Sequence, residues 1–286
     1  MQTVSRSHTA LYLGIIALLV VNAFIWLAVF SAGDGMLHIS FLAVGEGRAV
    51  LVQSPTGATV LIDGGPDHAV LRALPAVLGP LNRSLNLVIL TNPTTANAGG
   101  VPGIFDRYDV HAFMAPAVPN SSVAARMAAA AAGNEPQLAY ISATRGARVV
   151  LGAGAFIDVL APDRDVSGVR AETGSTVLRI VYGDTAFLLP SDAPVGVERW
   201  LAQLDATSTL SSTVLAVGHF GAKDTVAGDW LSKVRPTYAV LSVGHNPYGY
   251  PATTTLATLV RAGARVLTTA SGTVAFVSDG QAVWRK

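Results

Sequence analysis

Several apolar runs in this chain stop at a polar residue of a kind that can do chemistry. Val60-Leu61-Ile62 gives way to Asp63, and Val88-Ile89-Leu90-Thr91 to Asn92. Phe187-Leu188-Leu189 leads through Pro190-Ser191 to Asp192, Val214 to Gly218 leads to His219, and Leu241 to Gly244 leads to His245. Strand ends of this type can converge on one edge of a sheet. A metallo-hydrolase placed there needs three or more His, Asp or Glu ligands and an open position for water. The supply is thin. The chain has six histidines and no cysteine, with no His-x-His and no His-x-x-x-His spacing. His38, His68 and His111 stand alone. Asp192 and His219 are the metal-ligand candidates, with Asp63 as a third group. Asn92 and Asn97 offer neutral amides, poor ligands beside imidazole or carboxylate. Ser191, Asp192 and His219 invite a hydrolytic triad, but no Gly-x-Ser-x-Gly elbow surrounds Ser191.

Each of these residues also has a reading without chemistry. Asp192 can cap a helix starting near Val195. His219 can hydrogen-bond a neighbouring loop. His245, before Asn246-Pro247, suits a turn, and Asp63 before Gly64-Gly65 suits a loop organiser. Asn92 before Pro93 suits an extended turn residue.

The elements that must position them follow from pattern. Leu37 to Val44 alternates as a strand. Val50 to Gln53 and Thr59 to Ile62 flank Pro55-Thr56-Gly57, a hairpin signal. A helix is predicted from Ala69 to Leu78 and a strand from Val88 to Leu90. The alanine-rich stretch from Ser122 to Ala132 predicts another helix. Residues 135–172 predict short strands. A second hairpin, Val177 to Val181 and Thr185 to Leu189, parallels the first, and each places an aspartate just past its second strand. This suggests two similar halves within one domain. The last third alternates strands with helices at 224–234 and 253–262 and closes on two strands, which together predict an α/β sandwich with function at the strand ends.

The loop Thr91-Asn92-Pro93-Thr94-Thr95-Ala96-Asn97-Ala98-Gly99-Gly100 resembles the metal-binding loop of the metallo-β-lactamase superfamily, S/T-H-x-x-x-D-H-x-G-G. Asn92 and Asn97 stand at the histidine positions and Ala96 at the aspartate position. Phe41 to Gly47 is similar to the F-L-D-V-G-Q-G opening of the β-lactamase-like domain of ComEC-type competence proteins. Leu61 to Pro66 is similar to its L-I-D-x-G, Leu188 to Glu198 to its L-L-T-G-D-x-E, Val217 to Lys223 to its V-x-H-H-G-S-K, and Ser242 to Pro251 to its S-V-G-x-N-x-Y-G-H-P. These matches run in order. Phe220 replaces the second histidine of a pair, Ser191 a glycine, and Tyr250 a late histidine. The resemblance implies an αββα sandwich with Asp63, Asn92, Asn97, Asp192 and His219 as a remnant site. No cofactor is expected there; zinc or manganese would follow if a reduced site were active.

The chain has 286 residues, 51% of them hydrophobic and 13% charged. Leu11 to Phe30 carries no charge and has the length of about 20 residues that crosses a bilayer as a helix. Arg6 and His8 precede it and Asp34 follows, which places the N-terminus inside and the main domain outside. Signal cleavage near Val29-Phe30-Ser31 is the rival reading and also exports the domain. We therefore divide the chain into a cytoplasmic stub, transmembrane helix and linker (1–35) and a metallo-β-lactamase-like domain (36–286). The net charge of +1 shows no basic stripe, which disfavours charge-driven nucleic-acid binding. The expected function is a membrane-anchored domain without catalysis, with a protein partner in DNA uptake or envelope assembly. The alternatives are a metal-dependent phosphodiesterase and an exported DNA-binding module.

Overall fold

Strand alternation sends apolar side chains to both faces of each sheet, so a core forms between the sheets and another beneath each helical layer. The computed structural model describes residues 8, 10–22, 33–119, 122–223 and 225–286. One sheet contains β1 (Leu37–Phe41), β2 (Val50–Gln53), β3 (Thr59–Ile62), β5 (Leu87–Ile89), β7 (Ala112–Ala115), β8 (Ala139–Ser142), β16 (Val274–Ser278) and β17 (Val283–Arg285). The other contains β9 (Arg148–Gly152), β10 (Ala155–Ala161), β11 (Val177–Tyr182), β12 (Thr185–Leu189), β13 (Val214–Ala216), β14 (Tyr238–Leu241) and β15 (Arg265–Thr268). Their orders are β17-β16-β1-β2-β3-β5-β7-β8 and β15-β14-β13-β12-β11-β10-β9, and β4 (Ser84–Leu85) and β6 (Asp109–Val110) pair separately.

Leu37, Ile39, Val50, Val60 and Ile62 of the first sheet meet Ile157, Leu178, Ile180 and Phe187 of the second in a core between the sheets. The alternate residues Leu51, Leu61 and Val88 face outward and are covered by α2 (Ala69–Leu78), α3 (Thr95–Ala98), α4 (Val101–Phe105) and α5 (Val123–Gly133). Leu188, Leu215 and Ala239 are covered by α6 (Val195–Leu204), α7 (Thr207–Leu210), α8 (Gly228–Val234) and α9 (Thr253–Arg261). The result is an αββα sandwich.

The internal likeness of the two hairpins holds in three dimensions. β2 and β3 pair antiparallel, and β3 then pairs in parallel with β5. β11 and β12 pair antiparallel, and β12 then pairs in parallel with β13. Both hairpins therefore end at the same edge of the sandwich, one in each sheet. The expected alanine-rich helix starts one residue late, because Ser122 is its cap: the Ser122 Oγ accepts from the Ala125 N–H at 3.0 Å.

Residues 10–22 form a helix, α1, whose residues are exposed throughout, Leu11, Ile15 and Leu18 among them. The span expected from Leu11 to Phe30 continues into residues 23–32, which lie outside the described residues. Among the described residues no helix is long and apolar enough to cross a membrane.

Candidate functional site

The two hairpin ends meet. Asp63, just past β3, adopts φ 61°, and Ser191, just past β12, adopts φ 56°. These left-handed conformations turn each chain sharply off its strand, at a conformational cost for residues other than glycine. The Asp63 carboxylate accepts from the Thr91 N–H at 2.7 Å and from the Thr91 hydroxyl at 2.6 Å. The Thr91 hydroxyl also lies within hydrogen-bond distance of the Ser191 hydroxyl, which joins the end of one sheet to the end of the other. Next to Ser191, Asp192 Oδ2 accepts from Asn97 Nδ2 at 2.8 Å. All of these side chains are buried, with Asp63 and Asn97 at 0% and Asp192 at 3% exposure.

Arg48, which precedes the apolar run that becomes β2, completes the cluster. Its side chain is 1% exposed, and one guanidinium nitrogen donates to the Ser191 carbonyl at 3.1 Å and to Asp192 Oδ1 at 3.4 Å. The guanidinium carbon stands 5.8 Å from the centre of the Phe220 ring, within cation–π range. The backbone fixes Arg48 on both sides: its N–H donates to the Ala96 carbonyl at 3.2 Å, and its carbonyl accepts from the Gly65 N–H at 2.7 Å. Arg48 Nε and Nη1, Asn97 Oδ1 and Asn92 Oδ1 are buried without a hydrogen-bond partner.

Glycines let these loops close. Gly99 and Gly100 have ordinary right-handed φ values of −60° and −86°, so conformational freedom is not their role. A Cβ on Gly99 would overlap the Pro66 carbonyl, and one on Gly100 would overlap the Gly64 carbonyl. The backbones of the Asp63-Gly64-Gly65 loop and the Asn92–Gly100 loop pack directly together, and the Gly64 N–H donates to the Asn97 carbonyl at 2.7 Å.

Burial dominates the electrostatics. It raises the Asp63 carboxyl from 3.8 to about 7, although the Arg48 charge and the Thr91 hydrogen bonds pull the other way; the Asp192 charge adds to the rise. Glu198 on α6, outside this cluster, is likewise raised by burial to about 7, while its carboxylate accepts from the Ala227 N–H at 2.9 Å.

The residues do not fit a divalent ion. Asp192 has one oxygen facing Asn97 and the other facing Arg48. Asp63 has both oxygens facing Thr91. A divalent ion about 4 Å from the guanidinium would be repelled by roughly 8 kcal/mol at an effective dielectric constant of about 20. Among the described residues no group of three or more His, Cys, Asp or Glu side chains could hold a metal ion.

The structure thus gathers Asp63, Asn97 and Asp192 and places the others differently. Asn92 turns away: its Nδ2 donates to the Ala171 carbonyl at 3.0 Å and to the Ser175 hydroxyl at 2.6 Å. His219 is only half-buried, has φ 50°, and meets the cluster through its backbone, its N–H donating to the Ser191 carbonyl at 3.3 Å. Asp192 does not cap α6; Pro194 holds the cap position, and the carboxylate goes to Asn97 and Arg48 instead. His245 lies in a bend whose backbone is organised by Asn246, which donates to the Gly244 and Tyr250 carbonyls at 3.1 and 2.9 Å. The residue that the sequence does not announce is Arg48. Its one local signal is a charge directly ahead of the apolar run Ala49-Val50-Leu51-Val52 in a chain with 13% charged residues, where a charge is conspicuous.

No protein-family profile matches the chain, and no curated protein does. Solved structures do. The metallo-β-lactamase fold protein YhfI from Bacillus subtilis superposes with a TM-score of 0.54 at 13% identity, over 84% of this chain and 99% of that one. Tm1679, described as a metal-dependent hydrolase of the β-lactamase superfamily, gives 0.52 at 12% identity over 82% and 97%. A long form of RNase Z from yeast gives 0.53 at 10% identity, covering 87% of this chain and 42% of its own. With the αββα layers and the paired hairpins, these likenesses establish that the chain has the metallo-β-lactamase fold.

Proposed function

We propose that this chain is a membrane-anchored, non-hydrolytic module of the metallo-β-lactamase fold, akin to the ComEC-type domain, that works by binding or assembly at the cell envelope. The observation that carries this reading is the fate of Asp192. In a hydrolase of this fold it would be free to face an ion and its water. Here its two oxygens are engaged by Asn97 and Arg48 inside a sealed cluster. A nucleophilic water would have no carboxylate to activate it. The all-round exposure of the apolar residues 10–22 supports the anchor, since such a helix is stable against lipid rather than water. The ordered matches to the ComEC-type segments support a place in DNA uptake, with a protein partner in preference to nucleic acid.

The test is turnover of a generic phosphodiester by the purified full-length chain with added zinc or manganese. We expect none above the rate of the added ion alone. Turnover abolished by His219→Ala would establish the competing reading, a hydrolase with a reduced metal site.

A further inference from the structure

We propose that the edge of the sandwich opposite the strand-end cluster lies on the lipid surface, with Leu81 entering the headgroup boundary, so that the cluster faces away from the membrane. The inference rests on the anchor in the functional reading above and adds how the domain sits on it.

The entry of the chain decides which edge meets the bilayer. Gly33 packs so closely on the Pro55-Thr56-Gly57 turn that a Cβ there would overlap the Pro55 carbonyl. The Gly35 N–H donates to that same carbonyl at 3.2 Å, and the Gly35 carbonyl accepts from the Tyr182 hydroxyl at 2.9 Å. The linker is thus fastened to the turn ends of both hairpins before β1 begins. Gly33 follows Phe30, the end of the expected span, by three residues, which even fully extended cover at most about 11 Å. The first hairpin turn lies at the start of β3, and Asp63 lies just past the end of this four-residue strand, roughly 13 Å away. The fastened edge is therefore the near one and the strand-end cluster the far one.

The surface of the near edge fits lipid. Leu81, in the loop from α2 to β4, is 93% exposed. That loop is held at the start of β3, where the Ser84 carbonyl accepts from the Thr59 hydroxyl at 3.3 Å and the Asn86 N–H donates to the Thr59 carbonyl at 3.0 Å. A single exposed leucine is ordinary on a surface bathed in water. On an edge tethered this close to a bilayer it has an apolar phase to enter. Between the loop and the linker opens a polar trough of about 570 Å³, with Asp34, His38, Gln53, Asn82 and Lys286 in its lining. Its floor is a row across the first sheet, in which His38 pairs with Gln53 and Gln53 with Thr59. The adjacent Ile39, Val52 and Val60 point into the core between the sheets, so the row faces the helical side. There α2 stops at Leu78 and leaves His38 and Gln53 partly open, whereas Leu51, Leu61 and Val88 on the same face are covered. Beyond His38 the row continues through Val277 to Trp284, which is 48% exposed. A tryptophan, with its apolar ring and polar N–H, suits a membrane interface. The Lys286 ammonium, 3.4 Å from His38 Nδ1, supplies a cation for headgroup phosphate. The near edge therefore offers apolar groups to the acyl boundary and hydrogen-bonding groups to the headgroups.

The experiment is fluorescence of the full-length chain in phosphatidylethanolamine–phosphatidylglycerol vesicles. The chain has no cysteine, so Leu81→Cys and Tyr248→Cys each carry a single environment-sensitive label. Tyr248, 67% exposed in the loop after β14, marks the far edge. Both side chains are exposed, so neither substitution disturbs a core, and melting temperatures equal to the parent's check this. The label at position 81 should shift to the blue and lose about half or more of its emission to a nitroxide on the upper acyl chain, within the depth of about 5–10 Å that interfacial residues reach. The label at position 248 should remain as in water. A label at position 81 that stays aqueous, or that is quenched no more than the one at position 248, would overturn the docking. Flotation of the same vesicles after an alkaline wash reads the anchor separately. A chain that floats with an aqueous label at position 81 keeps its anchor and loses the docking; a chain that does not float loses both.

Discussion

Asn97 and Asp192 are 95 residues apart in the chain and 2.8 Å apart in space, joined by an amide-to-carboxylate hydrogen bond at the meeting point of the two sheets. One stands on α3, the short helix after β5, and the other in the loop after β12. Asn97→Ala should cost about 1–3 kcal/mol, because a buried carboxylate oxygen loses its donor. Asn97→Asp sets a second carboxylate against the first. Mutual repulsion raises the folded-state affinity for a proton, so stability relative to the parent should be lowest near pH 8 and recover as pH falls towards 5. Denaturant midpoints at the two pH values check this; an Asn97→Asp deficit that grows on acidification would contradict the arrangement.

Ser191 is held at φ 56° and shares a hydrogen bond with Thr91. Ser191→Ala loses the hydrogen bond and keeps the strain. Ser191→Gly loses the same bond and removes the strain, since glycine adopts positive φ freely. Glycine should therefore be the more stable of the two by about 1 kcal/mol or more. Chemical denaturation of both variants measures the difference, and the reverse order would refute the strained turn.

Gly99 and Gly196 make a contrasting pair. A Cβ at Gly99 meets the Pro66 backbone, whereas nothing lies within 4 Å of a Cβ at Gly196 in α6. Gly99→Ala should lose more than about 4 kcal/mol or fail to fold. Gly196→Ala should gain roughly 0.5–1 kcal/mol from the lower entropy of the unfolded chain and a better helix former. Soluble yield and melting temperature distinguish the two.

Glu198 gives the fold a pH dependence away from the cluster. Burial raises its carboxyl from 4.5 to about 7 in the folded state. The folded chain thus holds a proton that the unfolded chain has released. The associated stability is complete below about pH 4.5 and is lost as pH rises through 7, by roughly 3 kcal/mol in all. Asp63 shifts in the same direction and adds to the slope. Glu198→Gln keeps an acceptor for the Ala227 N–H and carries no charge, so it should flatten part of the profile and exceed the parent in stability near pH 8. Stability that rises from pH 5 to 8 in the parent, and is unaltered in slope by the substitution, would exclude this role.

What the sequence makes legible here is local. β2 and β3 lie where alternation and the Pro55-Thr56-Gly57 turn place them, and β12 ends where the apolar run stops. The likeness of the two hairpins is visible for the same reason. Arg48 is not legible, because the atoms that define its surroundings belong to residues 143 and 144 positions away. Asp192 reads locally as a helix cap, yet a donor on a distant loop claims it. Asn92 and Asn97 look equivalent within one loop, and only the path of residues 171–175 decides that Asn92 faces elsewhere. Gly99 and Gly100 appear in the sequence only as the close of the loop motif, while their necessity comes from the neighbouring backbone of Gly64 and Pro66.

The metal content of the purified full-length chain bears most directly on whether this site is closed by its own side chains. After preparation with zinc and manganese present and removal of loosely bound ions, elemental analysis should find far less than one ion per chain. One tightly held ion per chain, lost on replacing Asp192 or His219, would mean that the strand ends still work as a metal centre.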